Sequence, residues 1–586
     1  MQHKVMSLPL TPNFHASHWK NRPAYQTTWH ALETEFGRGD SFLETVNHWQ
    51  SNPDSPPTLF FTAFASEAPT DLPHELARVC FGLLPGVHRI LFHNAQVHLT
   101  LCIGCAPHIA KEIDIAADSL SVGNLETWGV KTIARLCQVG TQIMWHEAHE
   151  GTLKELVQAG FHLVASTSTA CYSPKWKFKP SLRQRTSAVV ASKSQAKLNA
   201  IVIGAGLAGS AVAHSLAKRG WPVQVLEKGE ALGSGASGLP AGLFATHVSP
   251  DNNVLSRITR DGVRATVQRA QDLLEHGREW QISELLENQY TGKRQLPEGS
   301  LWPSSGHAWS TQASIQQKLA AGLFENSNAL WHKVAGWLQP KDLVRAQLQH
   351  ANISLLTNKT VARLRNENNQ WQCLDADGML IAQAPKLIIA NAYDAQALID
   401  TIEITEEQHR PHFPATALRG QVTLGTMRSL PPLLRQQLPR FPVNGHGSYI
   451  GHLEAKNATS NEAYWIVGSS FQRNDFDVST RVSDQISNLQ QWAELMPAWH
   501  ENILNQIDLS LTTSWAAIRM ALPDRLPAVG AFTHPQLEGV NVCTGMGARG
   551  ISWSVLCGEL LAAQLNQEPL PMAASLAKLM AASRFA

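Results

Sequence analysis

Residues 199–228 read NAIVIGAGLAGSAVAHSLAKRGWPVQVLEK, and this stretch decides the fold of the larger part of the chain. An apolar run of strand length leads into Gly204, Gly206 and Gly209, and a helical segment of small residues and a second apolar run follow. This order predicts a βαβ unit whose glycines permit a tight turn and the close approach of a pyrophosphate. The N-terminus of the helix then faces the phosphates.

Glu227 ends the second apolar run, 18 residues after Gly209. A carboxylate at that point can accept hydrogen bonds from ribose hydroxyls. A glycine turn can also occur without any ligand, but strand, turn, helix and terminal acid together predict a dinucleotide site. Nicotinamide and flavin dinucleotides share this device, so the choice between them depends on other parts of the chain.

The composition is that of a large α/β protein whose net charge is too small to attract polyanions in general. Of its 586 residues, 44% are hydrophobic, and 48 Lys plus Arg nearly cancel 47 Asp plus Glu. Eight cysteines lack a repeated spacing, the start MQHKVMSLPL lacks a signal pattern, and no apolar run reaches membrane-spanning length. We therefore expect a cytoplasmic protein without disulfides, with no membrane and no metal partner, and a monomer.

A basic stretch at 171–197 marks the boundary between two domains. It holds seven basic residues and no acidic one, with the Pro and Ser of a linker. Before it, β-type runs alternate with helical stretches, which predicts another α/β domain. The predicted organisation is a domain at 1–170, a linker at 171–197 and a second domain at 198–586.

Two further loops favour a flavin over a nicotinamide. The GSGASG sequence at 233–238 and the GMGARG sequence at 545–550 resemble the loops that lie along the flavin in the D-amino-acid-oxidase-like family, and LIIANA at 387–392 resembles its strand near the adenine. The resemblance implies FAD and an antiparallel-sheet substrate subdomain. It places cofactor contacts at Gly235, Ala236, Ser237, Gly545, Gly547, Arg549 and Gly550.

Arg519 is the candidate substrate-binding residue. It opens a block at 519–530 that resembles the R-x4-D-x2-P-x2-G pattern of the same family, whose arginine usually faces the substrate carboxylate. A guanidinium suits that task because its planar fork pairs with a carboxylate through two hydrogen bonds. The alternative is a structural ion pair between Arg519 and a neighbouring acid.

The order of motifs across 199–586 is similar to one particular family. Besides the glycine motifs and the Arg519 block, the motifs that carry the similarity are AGWLQP (335–340), LRGQV (418–422), IVGSSF (466–471) and PLPMAASLAKL (569–579). They resemble the bifunctional tRNA 5-methylaminomethyl-2-thiouridine biosynthesis family, in its FAD-dependent oxidoreductase half. The resemblance implies oxidative removal of the carboxymethyl group from 5-carboxymethylaminomethyl-(2-thio)uridine at the tRNA wobble position, which leaves the 5-aminomethyl form.

In that family the N-terminal half is an S-adenosylmethionine-dependent methyltransferase of Rossmann type, which would add the final methyl group. Here the sequence departs from it. Residues 35–42 (EFGRGDSF) resemble the cofactor loop but place Arg38 where a small residue is expected, Ala65 stands where a ribose-binding acid is expected, and Cys105 replaces an acid near the adenine. We therefore expect S-adenosylmethionine binding and tRNA methylation to be lost, leaving a structural or tRNA-docking domain.

The remaining candidate sites are weaker. Cys102 and Cys105 have a metal-type spacing, but no second pair follows, so buried thiols are favoured. The basic linker, with Tyr172 and Trp176, is a candidate tRNA contact, and its alternative is a solvated tether. Two other functions stay open at this point: an FAD-dependent oxidase of free amino acids such as glycine or sarcosine, and a non-catalytic tRNA-binding scaffold.

Overall fold

The structure is a computed structural model that describes residues 14–176, 198–289, 295–404, 410–454 and 462–585. The chain divides into two compact units. Unit 1 comprises Met1–Ala196 and Ala563–Ala577, and unit 2 comprises Lys197–Ala562 and Lys578–Ala586. Six of the seven basic residues of the predicted linker lie outside the described residues, as do any contacts they make.

Unit 1 is built on a sheet whose strands follow the order β3-β4-β2-β1-β5-β6-β8-β7. The strands are β1 (Thr28–Glu33), β2 (Thr58–Ala65), β3 (Gly86–Phe92), β4 (Val97–Ile103), β5 (Ala117–Asn124), β6 (Cys137–Glu147), β7 (Phe161–Leu163) and β8 (Thr169–Tyr172). The five strands β4, β2, β1, β5 and β6 are parallel to their neighbours within this set. The strand order reverses between β1 and β5, and in such sheets ligands bind at that point, beyond the carboxyl ends of the strands.

Helices cover this sheet. They are α1 (Asp40–Ser51), α2 (His74–Ala77), α3 (Ala106–Ile109), α4 (Leu125–Trp128), α5 (Val130–Leu136) and α6 (Glu150–Gln158). Helix α1 begins after Gly39, whose φ of +83° is a left-handed conformation that glycine adopts without strain. Phe42 and Val46, four residues apart, lie on one face of α1 and join the core of the sheet.

Unit 2 contains a second parallel sheet, with the strand order β17-β10-β9-β21-β29-β28. Its strands are β9 (Ala200–Ile203), β10 (Val223–Leu226), β17 (Ile353–Leu356), β21 (Lys386–Ile389), β28 (Ala528–Ala531) and β29 (Val540–Thr544). Only β28, at the edge, runs antiparallel to its neighbour. The carboxyl ends of the other five strands therefore meet at one edge.

Two helices pack closely against this sheet, α7 (Leu207–Ala217) and α15 (Gly550–Asn566). A Cβ on Gly558 would lie 2.7 Å from the backbone carbonyl of Ala211, so the two helices touch backbone to backbone. The small residues that the sequence places in α7 are thus explained by this packing. Helix α7 is buried almost all round.

The second layer of unit 2 is a nine-stranded sheet with the order β14-β15-β13-β23-β24-β25-β22-β26, and β27 pairs with β22. Its strands are β13 (Leu285–Asn288), β14 (Ser310–Gln312), β15 (Ala329–His332), β22 (Thr416–Thr426), β23 (Val443–Gly445), β24 (Gly447–Glu454), β25 (Ala463–Gly468), β26 (Gln472–Arg473) and β27 (Thr512–Ala521). All its pairs are antiparallel except β13 with β23. The predicted antiparallel subdomain is confirmed.

Unit 2 also contains two small sheets and several further helices. Two three-stranded sheets are formed by β11 (Gly242–Phe244), β12 (Trp280–Ile282) and β16 (Gly336–Leu338), and by β18 (Arg363–Glu367), β19 (Gln370–Leu374) and β20 (Leu380–Ala384). The remaining described α-helices of unit 2 are α8 (Val254–Leu273), α9 (Ile315–Ala320), α10 (Pro340–Leu348), α11 (Ala395–Asp400), α12 (Pro432–Gln437), α13 (Val482–Leu495) and α14 (His500–Gln506). Helix α16 (Ala574–Leu579) begins in unit 1 and ends in unit 2.

Candidate active site

The glycine turn after β9 is required by its surroundings. Gly204 has a φ of +105°, and a Cβ there would lie 2.8 Å from the carbonyl oxygen of Ala390. A Cβ on Gly209 would lie 1.9 Å from the carbonyl oxygen of Gly204. Gly206 differs, because a Cβ there would meet only the hydroxyl of Ser237, at 3.0 Å. Two of these glycines therefore shape the turn, and the third keeps the start of α7 uncovered.

Glu227 fastens the turn to the segment after β10. The Oε2 atom of this buried carboxylate accepts a hydrogen bond of 2.8 Å from the backbone N–H of Ala205. Its Oε1 atom accepts from the backbone N–H of Gly229 at 2.9 Å and from the hydroxyl of Ser234 at 3.1 Å. The carboxylate thus stands beside the glycine turn, at the carboxyl edge of the sheet. Its contact with a ribose stays a prediction.

The loop predicted to lie along the flavin contacts the start of α7. The hydroxyl of Ser237 accepts a hydrogen bond of 2.9 Å from the backbone N–H of Leu207. Nothing described lies within 4 Å of the position that a Cβ on Gly235 would occupy. Ala236 follows Gly235 and begins the short 3₁₀ turn Ala236–Gly238, which contains Ser237. A helix N-terminus beside open space next to a glycine fits the pyrophosphate of FAD.

The GMGARG sequence at 545–550, which we call the closing segment, lies at the same edge, between β29 and α15. Gly545 and Gly547 have φ values of +76° and +54°, and Gly550 begins α15. The guanidinium carbon of Arg549 lies 5.5 Å from the centroid of the Trp553 ring. A β-bridge joins Met546 to Ala521, the last residue of β27. The structure therefore brings the closing segment next to the strand that carries Arg519.

Arg519 lies on β27 and is the most informative side chain of the site. Its Nη2 atom donates a long hydrogen bond of 3.5 Å to the hydroxyl of Ser469, and its guanidinium carbon lies 6.0 Å from the centroid of the Phe471 ring. Among the described residues it has no carboxylate within ion-pair distance. Burial lowers the pKa of Arg519, although a guanidinium stays charged at any physiological pH.

The acid nearest to Arg519 in the block belongs to another arginine. Asp524 pairs with Arg584, at 2.8 Å, so it is not the counter-ion of Arg519. A Cβ on Gly420 would lie 2.7 Å from Nη2 of Arg519, and the glycine therefore lets the guanidinium lie against the backbone of β22. Even a half-buried cation loses part of its hydration, and a ligand carboxylate would offset that loss.

Sequence reasoning assigned no role to Arg419, which the structure places under the same site. Its side chain is fully buried and pairs with Asp484 at 2.5 Å. It also donates to the backbone carbonyls of Asp477 and Ser479 and so holds the loop at 474–481. An arginine between Leu and Gly in a strand pattern was the available signal, since charged residues are rarely fully buried without a specific partner.

In unit 1 the strand ends at the switch point are occupied by a side chain. A Cβ on Gly123 of β5 would lie 2.1 Å from Oε1 of Glu35, so this carboxylate packs directly on the glycine. Arg38 pairs with Asp71 at 3.0 Å, and Cys105 is exposed. The carboxylate of Glu35 therefore fills space at the carboxyl ends of β1 and β5, and Ala65, at the end of β2, offers no carboxylate there.

Two features are absent from the residues that the structure describes. No helix there is both long and apolar enough to cross a membrane. No cluster of three or more His, Cys, Asp or Glu side chains among those residues could hold a metal ion.

The fold and the glycine cradle define a class: dinucleotide-binding oxidoreductases with an antiparallel substrate sheet. A family model described as DAO, FAD dependent oxidoreductase, matches residues 199–564. The glycine oxidase from Geobacillus kaustophilus has a TM-score of 0.48 and 20% sequence identity over 63% of this chain and 94% of that chain.

Two related proteins are more similar and extend over both units. The tRNA 5-methylaminomethyl-2-thiouridine biosynthesis bifunctional protein MnmC of Polaromonas sp. strain JS666 is 37% identical over 95% of this chain and 90% of that protein. Its namesake in Polaromonas naphthalenivorans strain CJ2 is 37% identical over 94% of this chain and 89% of that protein. This chain belongs to the family of these bifunctional proteins, and its residues 199–564 belong to the FAD-dependent oxidoreductases. The resemblance seen in the sequence is confirmed.

Proposed function

We propose that this protein is a tRNA-modifying, FAD-dependent oxidase that removes the carboxymethyl group of 5-carboxymethylaminomethyl-(2-thio)uridine at the wobble position. Family membership supports the wobble-uridine substrate, and the oxidoreductase domain supports the oxidation. The observation that carries the proposal is Arg519, a half-buried guanidinium without a carboxylate partner among the described residues. The substrate arm ends in a carboxylate, which would supply the missing partner.

Arg519 would hold that carboxylate through two parallel hydrogen bonds, with the hydroxyl of Ser469 beside it. This contact would fix the orientation of the neighbouring methylene and secondary amine, which is where the reaction takes place. The positive charge of Arg519 close to the amine also favours the neutral form of the amine, because a second positive charge there would be repelled. Oxidation requires the neutral amine, whose lone pair assists the departure of hydride.

The reaction is a two-electron oxidation of the CH–NH bond. When bound, FAD supplies the acceptor for the hydride equivalent that leaves the methylene carbon. The amine loses its proton and the C–N bond becomes an imine, which water hydrolyses to the aminomethyl nucleoside and glyoxylate. The residues that we propose to hold FAD are Gly204, Gly206, Gly209, Glu227, Gly235, Ala236, Ser237, Gly545, Gly547, Arg549 and Gly550.

We further propose that unit 1 neither binds S-adenosylmethionine nor methylates the product. The position of Glu35 against Gly123 supports this. S-adenosylmethionine carries a carboxylate of its own, which the Glu35 carboxylate would repel, and Glu35 also takes up space at the strand ends. The role left to unit 1 is structural or in tRNA docking.

The test is nucleoside mass spectrometry on tRNA that carries the carboxymethylaminomethyl wobble uridine. We expect the purified yellow protein to yield the aminomethyl nucleoside with or without S-adenosylmethionine. A methylaminomethyl product that requires S-adenosylmethionine would overturn the proposal for unit 1. Unchanged tRNA, with a flavin that glycine or sarcosine reduces, would identify a free amino-acid oxidase instead. A colourless protein that binds tRNA would be a scaffold.

A further inference from the structure

Three aromatic side chains at the Arg519 site are unusually exposed. Phe471 is 54% exposed, Phe476 is 53% exposed and Tyr393 is 36% exposed. Phe471 contacts Arg519, and the rings of Phe476 and Tyr393 meet edge to face with centroids 5.2 Å apart. Tyr393 follows β21 at the carboxyl edge of the parallel sheet. We call these three side chains the aromatic surface.

Polar contacts within the protein fix the loop that carries Phe476. The fully buried Arg419 donates hydrogen bonds to two backbone carbonyls of the loop at 474–481, which carries Phe476. Arg481 closes the same loop through ion pairs of 2.6 Å with Asp475 and 2.9 Å with Asp477. A loop fixed by so many polar contacts presents its ring at little further entropic cost, which is what a preformed binding surface requires.

The charges around the aromatic surface suit a polyanion. Arg481 pairs with both Asp475 and Asp477, and Lys228 pairs with Asp394 at 2.6 Å, so these three acids face two cations, and Arg473 and Arg519 add two more. Arg473 and Arg519 are the register partners of Leu418 on either side, so they lie two strand spacings apart, about 10 Å, on one face of the sheet. Exposed Arg473 forms no ion pair with any residue that the structure describes.

Exposed rings beside cations are the means by which proteins bind unpaired nucleotides, because every base has a face that stacks on an aromatic ring. A carboxylate bound by Arg519 would lie only a few bonds from the uracil ring that carries it, within reach of Phe471. We propose that Phe471, Phe476 and Tyr393 form a stacking surface for the unpaired bases of the substrate RNA, with the wobble uracil on Phe471. This inference rests on the proposed function and adds how the RNA is recognised.

The test compares Phe471→Leu and Phe476→Leu with the wild-type holoenzyme. We expect each to raise the KM for tRNA about 10-fold or more, with kcat and flavin content little changed. Phe471→Trp, which keeps a ring, should restore the wild-type KM. The matched control is Phe324→Leu, since Phe324 is 55% exposed on a different segment of unit 2.

A second measurement reports stacking directly. A 17-nucleotide anticodon stem-loop with 2-aminopurine beside the wobble position should lose fluorescence on binding to the wild type and keep it with Phe476→Leu. Wild-type turnover with unchanged KM and unchanged quenching in both leucine variants would overturn the stacking surface alone. Quenching without any turnover by the wild type would overturn the proposed function and support the stacking surface.

Discussion

Arg419 and Asp484 form an ion pair of 2.5 Å in which the two side chains are 0% and 6% exposed. The pair joins β22 to α13, and it lies beneath the loop that carries Phe476. Removing one partner leaves an uncompensated buried charge, which typically costs about 3–5 kcal/mol. Asp484→Leu should therefore lower the stability of unit 2 by about that amount in urea unfolding. Arg278→Ala breaks an exposed ion pair with Glu275 and should leave the urea concentration at the unfolding midpoint unchanged.

Two glycines of the cofactor site should respond differently to alanine. In Gly209→Ala the new Cβ would collide with a backbone carbonyl at 1.9 Å, so we expect loss of both flavin and stability. In Gly235→Ala the Cβ meets nothing described within 4 Å, so the apoprotein should melt at the wild-type temperature while binding FAD much more weakly. Flavin absorbance and thermal melting of apoprotein check this. Tight FAD binding by Gly235→Ala would remove that residue from the cofactor site.

Arg519→Lys should separate charge from geometry. Lysine keeps the positive charge but cannot pair with a carboxylate through a planar fork. We expect kcat/KM for tRNA to fall at least about 100-fold, chiefly through KM, because a charge-assisted contact in a buried site is worth roughly 2–5 kcal/mol. Flavin content should stay constant. Arg525→Lys, at an exposed position of the same block, provides the matched control, and equal losses in the two variants would contradict the assignment.

Asp118 of unit 1 should make the stability of that unit depend on pH. Burial raises the pKa of Asp118 to about 6, although Gln26, Gln138 and the backbone N–H of His30 all donate to it. Because the folded pKa is above the unfolded one, protonation favours the folded state, and stability falls as pH rises from about 4 to about 6. The loss is at most roughly 3 kcal/mol.

The measurement is the melting temperature of unit 1 in the full chain between pH 4.5 and 7.5, for wild type and Asp118→Asn. The wild type should lose stability over this range relative to Asp118→Asn, which cannot ionise there. Parallel curves for the two proteins would show that Asp118 titrates normally.

The sequence by itself determined the cofactor half of this protein. The turn with Gly204, Gly206 and Gly209, its helix and Glu227 lie within 30 consecutive residues, so local spacing already dictates their geometry. The D-amino-acid-oxidase-like fold, the FAD domain and the family followed instead from the resemblance of motifs spread over 199–586, and the family match and the related proteins confirm them. The contacts of individual site residues with FAD stay predictions.

The tertiary structure alone decided what surrounds the substrate. Ser469 and Phe471 lie about 50 positions before Arg519, in the connection between β25 and β26. They reach Arg519 because β22 pairs with β25 and β26 on one side and with β27 on the other, and no local pattern encodes that meeting. The same holds for Asp484 of α13 under Arg419 of β22, and for Glu35 on Gly123, where the parallel strands β1 and β5 end side by side. Sequence periodicity specifies which face of a strand is buried, whereas strand order specifies which side chains share that face.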